Sequence, residues 1–154
     1  MAAESTDPAD RITGRPRASE AYALQLGQGW TYQNGIDFTV KAGEFKTANG
    51  AAIVEYTTRK GEEPGEHTHP TEDEMFYVMQ GALTFLCGDR TFDVEAGGFV
   101  FLPCGIPHDY RIRSDGPVRL LVVTAPPREL SEGWDGFVGG FEASGDLVSQ
   151  PSDT

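Results

Sequence analysis

Apolar side chains recur with a period of two along most of residues 36–125, which predicts a chain built of strands. Ile36, Phe38 and Val40 alternate with polar neighbours, and residues 53–58 are rich in β-branched and aromatic side chains. Residues 75–79 form a short apolar run. Residues 83–87 and 91–95 are joined through Gly88-Asp89, a fitting pair for a tight hairpin turn. Residues 99–102 are wholly apolar, the pattern of a strand buried on both faces, and residues 118–124 read the same way. In residues 108–113, His108, Tyr110 and Ile112 share one face while Asp109, Arg111 and Arg113 share the other.

Strands recur roughly every eight to twelve residues with turn signals between them, the spacing of an antiparallel sandwich or small barrel. No long helical periodicity precedes residue 126, which excludes a doubly wound fold. A short helix is expected over 128–141, capped by Ser131 and weakened by four glycines. Residues 1–20 carry almost no large apolar side chain and read as a disordered tail, and residues 143–154 as a flexible one. One domain over 21–142 is the expected organisation.

Composition narrows the partners. The net charge of −12 repels nucleic-acid phosphates and anionic membranes, so neither is expected to bind. Of the acidic run Glu62, Glu63, Glu66, Glu72, Asp73 and Glu74, the first three read as a solvated loop, and the field of the run also draws cations toward the histidines. Cys87 and Cys104 do not make a disulfide framework and are expected as free thiols. The N-terminus has no basic or apolar leader segment and no stretch reaches membrane-spanning length, so a cytoplasmic protein is expected.

The chain has three histidines, and all three stand where one ion could take them. His67 and His69, two apart, project from one face of an extended segment. Pro70 ends the pairing there, Thr71 to Asp73 can turn the chain, and Glu74 opens the next strand facing back. His108 begins another strand after the rigid turn Pro103-Cys104-Gly105-Ile106-Pro107. Imidazole and carboxylate together suit a divalent transition metal: Fe, Mn, Ni, Co, Cu or Zn.

This spacing closely resembles the cupin superfamily. Gly61, five residues, His67-Thr68-His69, four residues, Glu74, six residues and Gly81 follow its first motif. Gly97, five residues, Pro103-Cys104-Gly105, two residues and His108 follow its second. The Asn that closes the second motif is replaced by Ile112, a position that is not a metal ligand in the family pattern. The resemblance implies an all-β, single-domain cupin barrel (a double-stranded β-helix, jelly-roll-like) with irregular terminal segments. It implies His67, His69, Glu74 and His108 as metal ligands, with Glu72 too close to His69 for the family spacing. It also implies a homodimer, with residues 20–47 the first place to look for its contacts.

Strand parity proposes the substrate pocket. Phe76 and Val78 share parity with Glu74, and Tyr110 and Ile112 with His108. Tyr56, Phe85, Phe99 and Phe101 are further candidates. Together they imply an aromatic-lined cavity suited to an aromatic or polyketide-like small molecule. Three functional classes follow. The first, preferred, resembles quercetinase-type cupin dioxygenases, with Glu74 serving also as catalytic base. The second is a non-redox cyclase or isomerase in which the metal polarises a carbonyl and Tyr56, Glu55 or Tyr110 moves a proton. The third is a binding module without turnover.

Overall fold

The computed structural model describes residues 21–43, 50–125, 138 and 147–151. Ten strands occur among them: β1 Trp30–Asn34, β2 Ile36–Ala42, β3 Ala52–Thr58, β4 Asp73–Gln80, β5 Ala82–Cys87, β6 Arg90–Glu95, β7 Phe99–Leu102, β8 His108–Ile112, β9 Val118–Ala125 and β10 Leu147–Ser149. All the pairings are antiparallel. One sheet has the order β10-β1-β2-β3-β9-β4-β7, the other β6-β5-β8. Two packed antiparallel sheets of this kind form the jelly-roll barrel expected for this chain. Among the described residues no helix is long and apolar enough to cross a membrane.

The strands form because alternation gives each sheet one dry face. Along β3 and β9 every second residue is buried: Ala52, Val54, Tyr56 and Thr58 on one, Val118, Leu120, Val122 and Thr124 on the other. These strands run side by side over seven paired positions, so their inward residues stack into one wall. Phe76 and Val78 of β4 continue that wall, and Leu83 and Phe85 of β5 face it from the smaller sheet. Phe76, Phe85 and Tyr110 meet with ring centroids 5.1 to 6.0 Å apart. The Gly88-Asp89 turn forms as expected, with Cys87 paired to Arg90 across it.

β7 departs from expectation. Val100 and Leu102 are buried, but Phe99 is 61% exposed and Phe101 49% exposed. β7 is the edge strand of the large sheet, bonded to β4 alone, so one of its faces has nothing to pack on. β9 likewise is fully buried on one face only. An outward apolar residue and a buried one look the same in a short apolar run. β1 and β10 were not expected as strands. β1 is set by Asn34-Gly35, a tight reversal that pairs Asn34 with Ile36. β10 lies in the stretch read as a flexible tail, yet Leu147 and Ser149 pair with Tyr32 and Thr31 of β1. The tail over 1–20 lies outside the described residues, as does the helix over 128–141 apart from the buried Val138.

Candidate metal centre and adjoining cavity

The histidines come together where the loop between β3 and β4 meets the start of β8. His67 is not part of a strand; it makes a single antiparallel bridge to His108, the first residue of β8. The bridge is reciprocal, His67 N–H to His108 O at 3.0 Å and His108 N–H to His67 O at 2.9 Å. The Gly105 N–H donates to His69 O at 2.8 Å, and the Cys104 N–H to Asp73 Oδ1 at 2.9 Å. Two loops distant in sequence are thereby fastened to each other by backbone bonds and the Asp73 side chain, and Glu74 enters from the start of β4.

The result gathers His67, His69, Glu74 and His108, with one ligand atom of each lying within 4.8 Å of all the others. Donors around one ion bonded at ~2.1 Å stand about 3–4 Å apart, so small side-chain adjustments suffice. The imidazoles are already oriented. His67 Nδ1 lies 2.7 Å from Gly65 O and His108 Nδ1 lies 3.2 Å from Ile106 O. A carbonyl only accepts, so each Nδ1 carries a proton, and Nε2 is the nitrogen that can bind an ion. His69 Nδ1 lies 3.0 Å from Glu72 Oε1, while its Nε2 lies 3.0 Å from Glu74 Oε2. His108 Nε2 is 3.1 Å from the same Glu74 oxygen. Three Nε2 atoms and one carboxylate converge, a donor set that suits a divalent transition metal.

Glu72 has a distinct place in this arrangement. It is 0% exposed and sits behind the His69 ring, against Nδ1 rather than among the ligand atoms. Sequence spacing weighed it only as a rival to Glu74. A carboxylate behind a ligating imidazole fixes the tautomer and raises the basicity of the other nitrogen.

Without a metal, His69 holds its proton and Glu74 stays ionised. Burial pushes the Glu74 carboxyl up, but hydrogen bonds from His108 and His69 outweigh it and bring the pKa down to about 2. Burial pushes His69 down, but hydrogen bonds to Glu72 and Glu74 outweigh it and lift it to about 9. An ion entering here displaces the His69 proton.

A cavity of about 390 Å³ opens beside the ligands, with His67, Glu74 and His108 on its wall. Of the pocket candidates, Tyr56, Phe76 and Tyr110 line it. Val78, Phe85 and Ile112 are buried in the core away from that wall, filling the barrel instead. Phe99 and Phe101 point outward and are corrected to surface positions. Ile36, Phe38 and Leu102 line the cavity and were not proposed for it. The alternation of Ile36 and Phe38 was visible, but nothing in it showed that β2 passes the cavity mouth. Glu55, once a candidate for proton transfer, faces the other side of β3, where Arg119 and Lys41 approach it at 2.6 and 3.4 Å. Tyr56 and Tyr110 touch through their hydroxyls at 3.3 Å. Burial raises both phenols, Tyr110 to about 12 and Tyr56 well above its ordinary value, so both stay protonated.

Fold and ligand geometry agree with a family match: residues 54–124 fit the cupin domain family. This segment is a cupin domain. Around it, 100 residues, 64% of the chain, are 29% identical to a quercetin 2,3-dioxygenase of Bacillus subtilis and cover 30% of that protein. Over 77 residues, 50% of the chain, identity to the polyketide synthase CurC of Streptomyces cyaneus is 31%, covering 47% of it. The chain therefore spans between 30% and 47% of the length of these two relatives. Among solved structures, KdgF from Halomonas sp. shares the cupin fold with a TM-score of 0.59 at 17% identity, over 73% of this chain and 99% of that one.

Proposed function

We propose that this cupin is a metal-dependent enzyme of dioxygenase type acting on an aromatic or enolic small molecule. The observation that carries the reading is the convergence of three Nε2 atoms and the Glu74 carboxylate on one wall of an aromatic-lined cavity. His67, His69, His108 and Glu74 would hold one divalent transition ion: Fe, Mn, Ni, Co, Cu or Zn. When bound, that ion supplies a Lewis-acidic centre with an open position for a substrate oxygen and, if redox-active, for O2. Phe38, Phe76 and Leu102 exclude water and hold the ring of the substrate. Every histidine of the chain is engaged in the cluster and both cavity tyrosines stay protonated, so the proton of the enol falls to Glu74.

The 29% identity to a quercetin 2,3-dioxygenase supports this class, and the 31% identity to CurC supports the second reading, a non-redox cyclase or isomerase of polyketide-like molecules. Oxygen uptake separates them. Protein purified without added metal is analysed for bound elements, then offered 3-hydroxyflavone as a test enol in an oxygen electrode. Stoichiometric metal and enol-dependent O2 consumption, both lost in His108→Ala, are expected. Undiminished turnover under nitrogen would transfer the assignment to the cyclase class, and full metal occupancy in His67→Ala and His108→Ala would sink the site itself. The homodimer implied by family resemblance belongs to the same proposal, and light scattering at the monomer mass would remove it.

A further inference from the structure

The inward positions of β9 are apolar until the last one. Val118, Leu120 and Val122 are followed by Thr124, which is 0% exposed and whose Oγ1 has no hydrogen-bond partner among the described residues. Valine has nearly the same shape and would fill that place without burying an unpaired hydroxyl, which is destabilising. The other inward threonine of this wall, Thr58 at the far end of β3, donates its hydroxyl to Glu62 Oε2 at 3.3 Å. The register shows what Thr124 stands beside. One row across the large sheet runs Ala52, Thr124, Glu74 and Leu102, each directly opposite the next and all four buried. Of these side chains only Thr124 and Glu74 carry polar atoms. The Cβ atoms of directly opposed residues stand about 4.5–5.5 Å apart, a gap that the length of a glutamate side chain spans.

Glu74 must change partners when an ion binds. Its Oε2 lies 3.0 Å from His69 Nε2 and 3.1 Å from His108 Nε2. A nitrogen that ligates an ion has no hydrogen to share, so neither contact survives loading as a hydrogen bond. Ligating carboxylates are themselves held by hydrogen bonds. We propose that Thr124 is a positioning residue for Glu74: in the loaded site its hydroxyl donates to the carboxylate and fixes the orientation in which Glu74 holds the ion. The inference rests on the reading of His67, His69, Glu74 and His108 as a metal centre, and it adds a residue on β9, outside the segments that carry the ligands. The direction of the bond follows from charge, because an ionised carboxylate only accepts.

The test uses the full chain, metal-free and loaded with Co(II) or Zn(II). Urea unfolding of metal-free protein should find Thr124→Val at least as stable as wild type, since the unpaired hydroxyl is gone. Competition with a chromophoric chelator should find its affinity for either ion lowered about tenfold or more, the effect of losing such a supporting partner. The Co(II) absorption bands should shift as the carboxylate reorients, and Thr124→Ser, which keeps a hydroxyl, should recover most of the affinity. A merely structural role lowers stability and affinity together, so a Thr124→Val protein destabilised without metal would overturn the proposal. Wild-type affinity in that variant would also overturn it and leave the metal-centre reading intact. In the Glu72→Gln background the loss should persist in full. A loss that vanishes there would assign the hydroxyl to Glu72 and refute its role toward Glu74. If wild type binds neither ion, the metal-centre reading falls and the proposal falls with it.

Discussion

Replacing Glu72 by Gln or Ala asks whether a residue that never touches the ion governs how tightly it is held. Glu72 Oε1 stands 3.0 Å from His69 Nδ1, the carboxylate side chain fully buried and the imidazole 9% exposed, so water cannot step in for a lost partner. A hydrogen bond to a charged group contributes about 1.5–3 kcal/mol and a neutral one about 0.5–1.5 kcal/mol. Glu72→Gln keeps a neutral acceptor and forfeits roughly 1–1.5 kcal/mol, about tenfold in metal affinity. Glu72→Ala leaves Nδ1 without that acceptor and should approach the roughly hundredfold loss that such supporting partners can carry. Competition with a chromophoric chelator for Zn(II) or Co(II) reads this directly. The pH matters, because in the metal-free protein the same carboxylate also helps hold the proton on His69, raised to about 9. The loss should therefore be largest near pH 9 and smaller at pH 7, where wild type must first give up that proton. Affinities of both variants within twofold of wild type at pH 9, with urea unfolding showing them folded, would refute the reasoning.

Metal-free protein should be most stable between about pH 4.5 and 6.5: the depressed Glu74 carboxyl contributes above pH 4.5 and loses its contribution as pH falls toward 2, while the raised His69 contributes below pH 6.5 and loses its contribution as pH rises through 9. Thermal melts across pH check this, and a loaded metal should abolish the alkaline decline because it replaces the proton. Gly81→Ala should cost about 2–3 kcal/mol, roughly 5–10 °C in Tm, since φ is +93° there and a Cβ would meet Val118 Cγ2 at 2.7 Å; an unchanged melt would contradict it. Phe76→Ala should cost about 3–5 kcal/mol and widen the cavity, whereas Phe99→Ser on the exposed face of β7 should stay within about 0.5 kcal/mol of wild type, as urea titration can show.

The parts of the fold legible in the sequence are those where one strand face is dry. β8 alternates because its inward residues are buried, and its parity could be read from the sequence alone. β10 is exposed at all three positions, so no periodicity exists to read; it is a strand only because β1 offers it an edge. β7 misleads for the opposite reason, since its outward Phe99 and Phe101 are as apolar as its inward Val100 and Leu102. In the site, the four ligand-type residues are visible because fixed separations bring them together. The role of Glu72 is not, because spacing measures distance along the chain, whereas the turn after Pro70 tucks that carboxylate under the His69 ring. The Tyr56–Tyr110 hydroxyl contact joins strands β3 and β8, a juxtaposition that only the closed barrel creates.

The reciprocal backbone bridge between His67 and His108 has a further consequence for how the protein exchanges its ion. The peptide groups that carry two of the chelating rings also form a seam that fastens the loop between β3 and β4 to the start of β8. An ion therefore enters a framework that is already assembled, unlike a zinc finger, which orders itself around its metal. Stripping the metal should leave the barrel standing and a different ion should slot into the same seat, so the cell's metal supply, and not refolding, would decide which ion the protein carries. Slow amide exchange at His67, Gly105 and His108 that persists in chelator-treated protein would be the signature of such a seam.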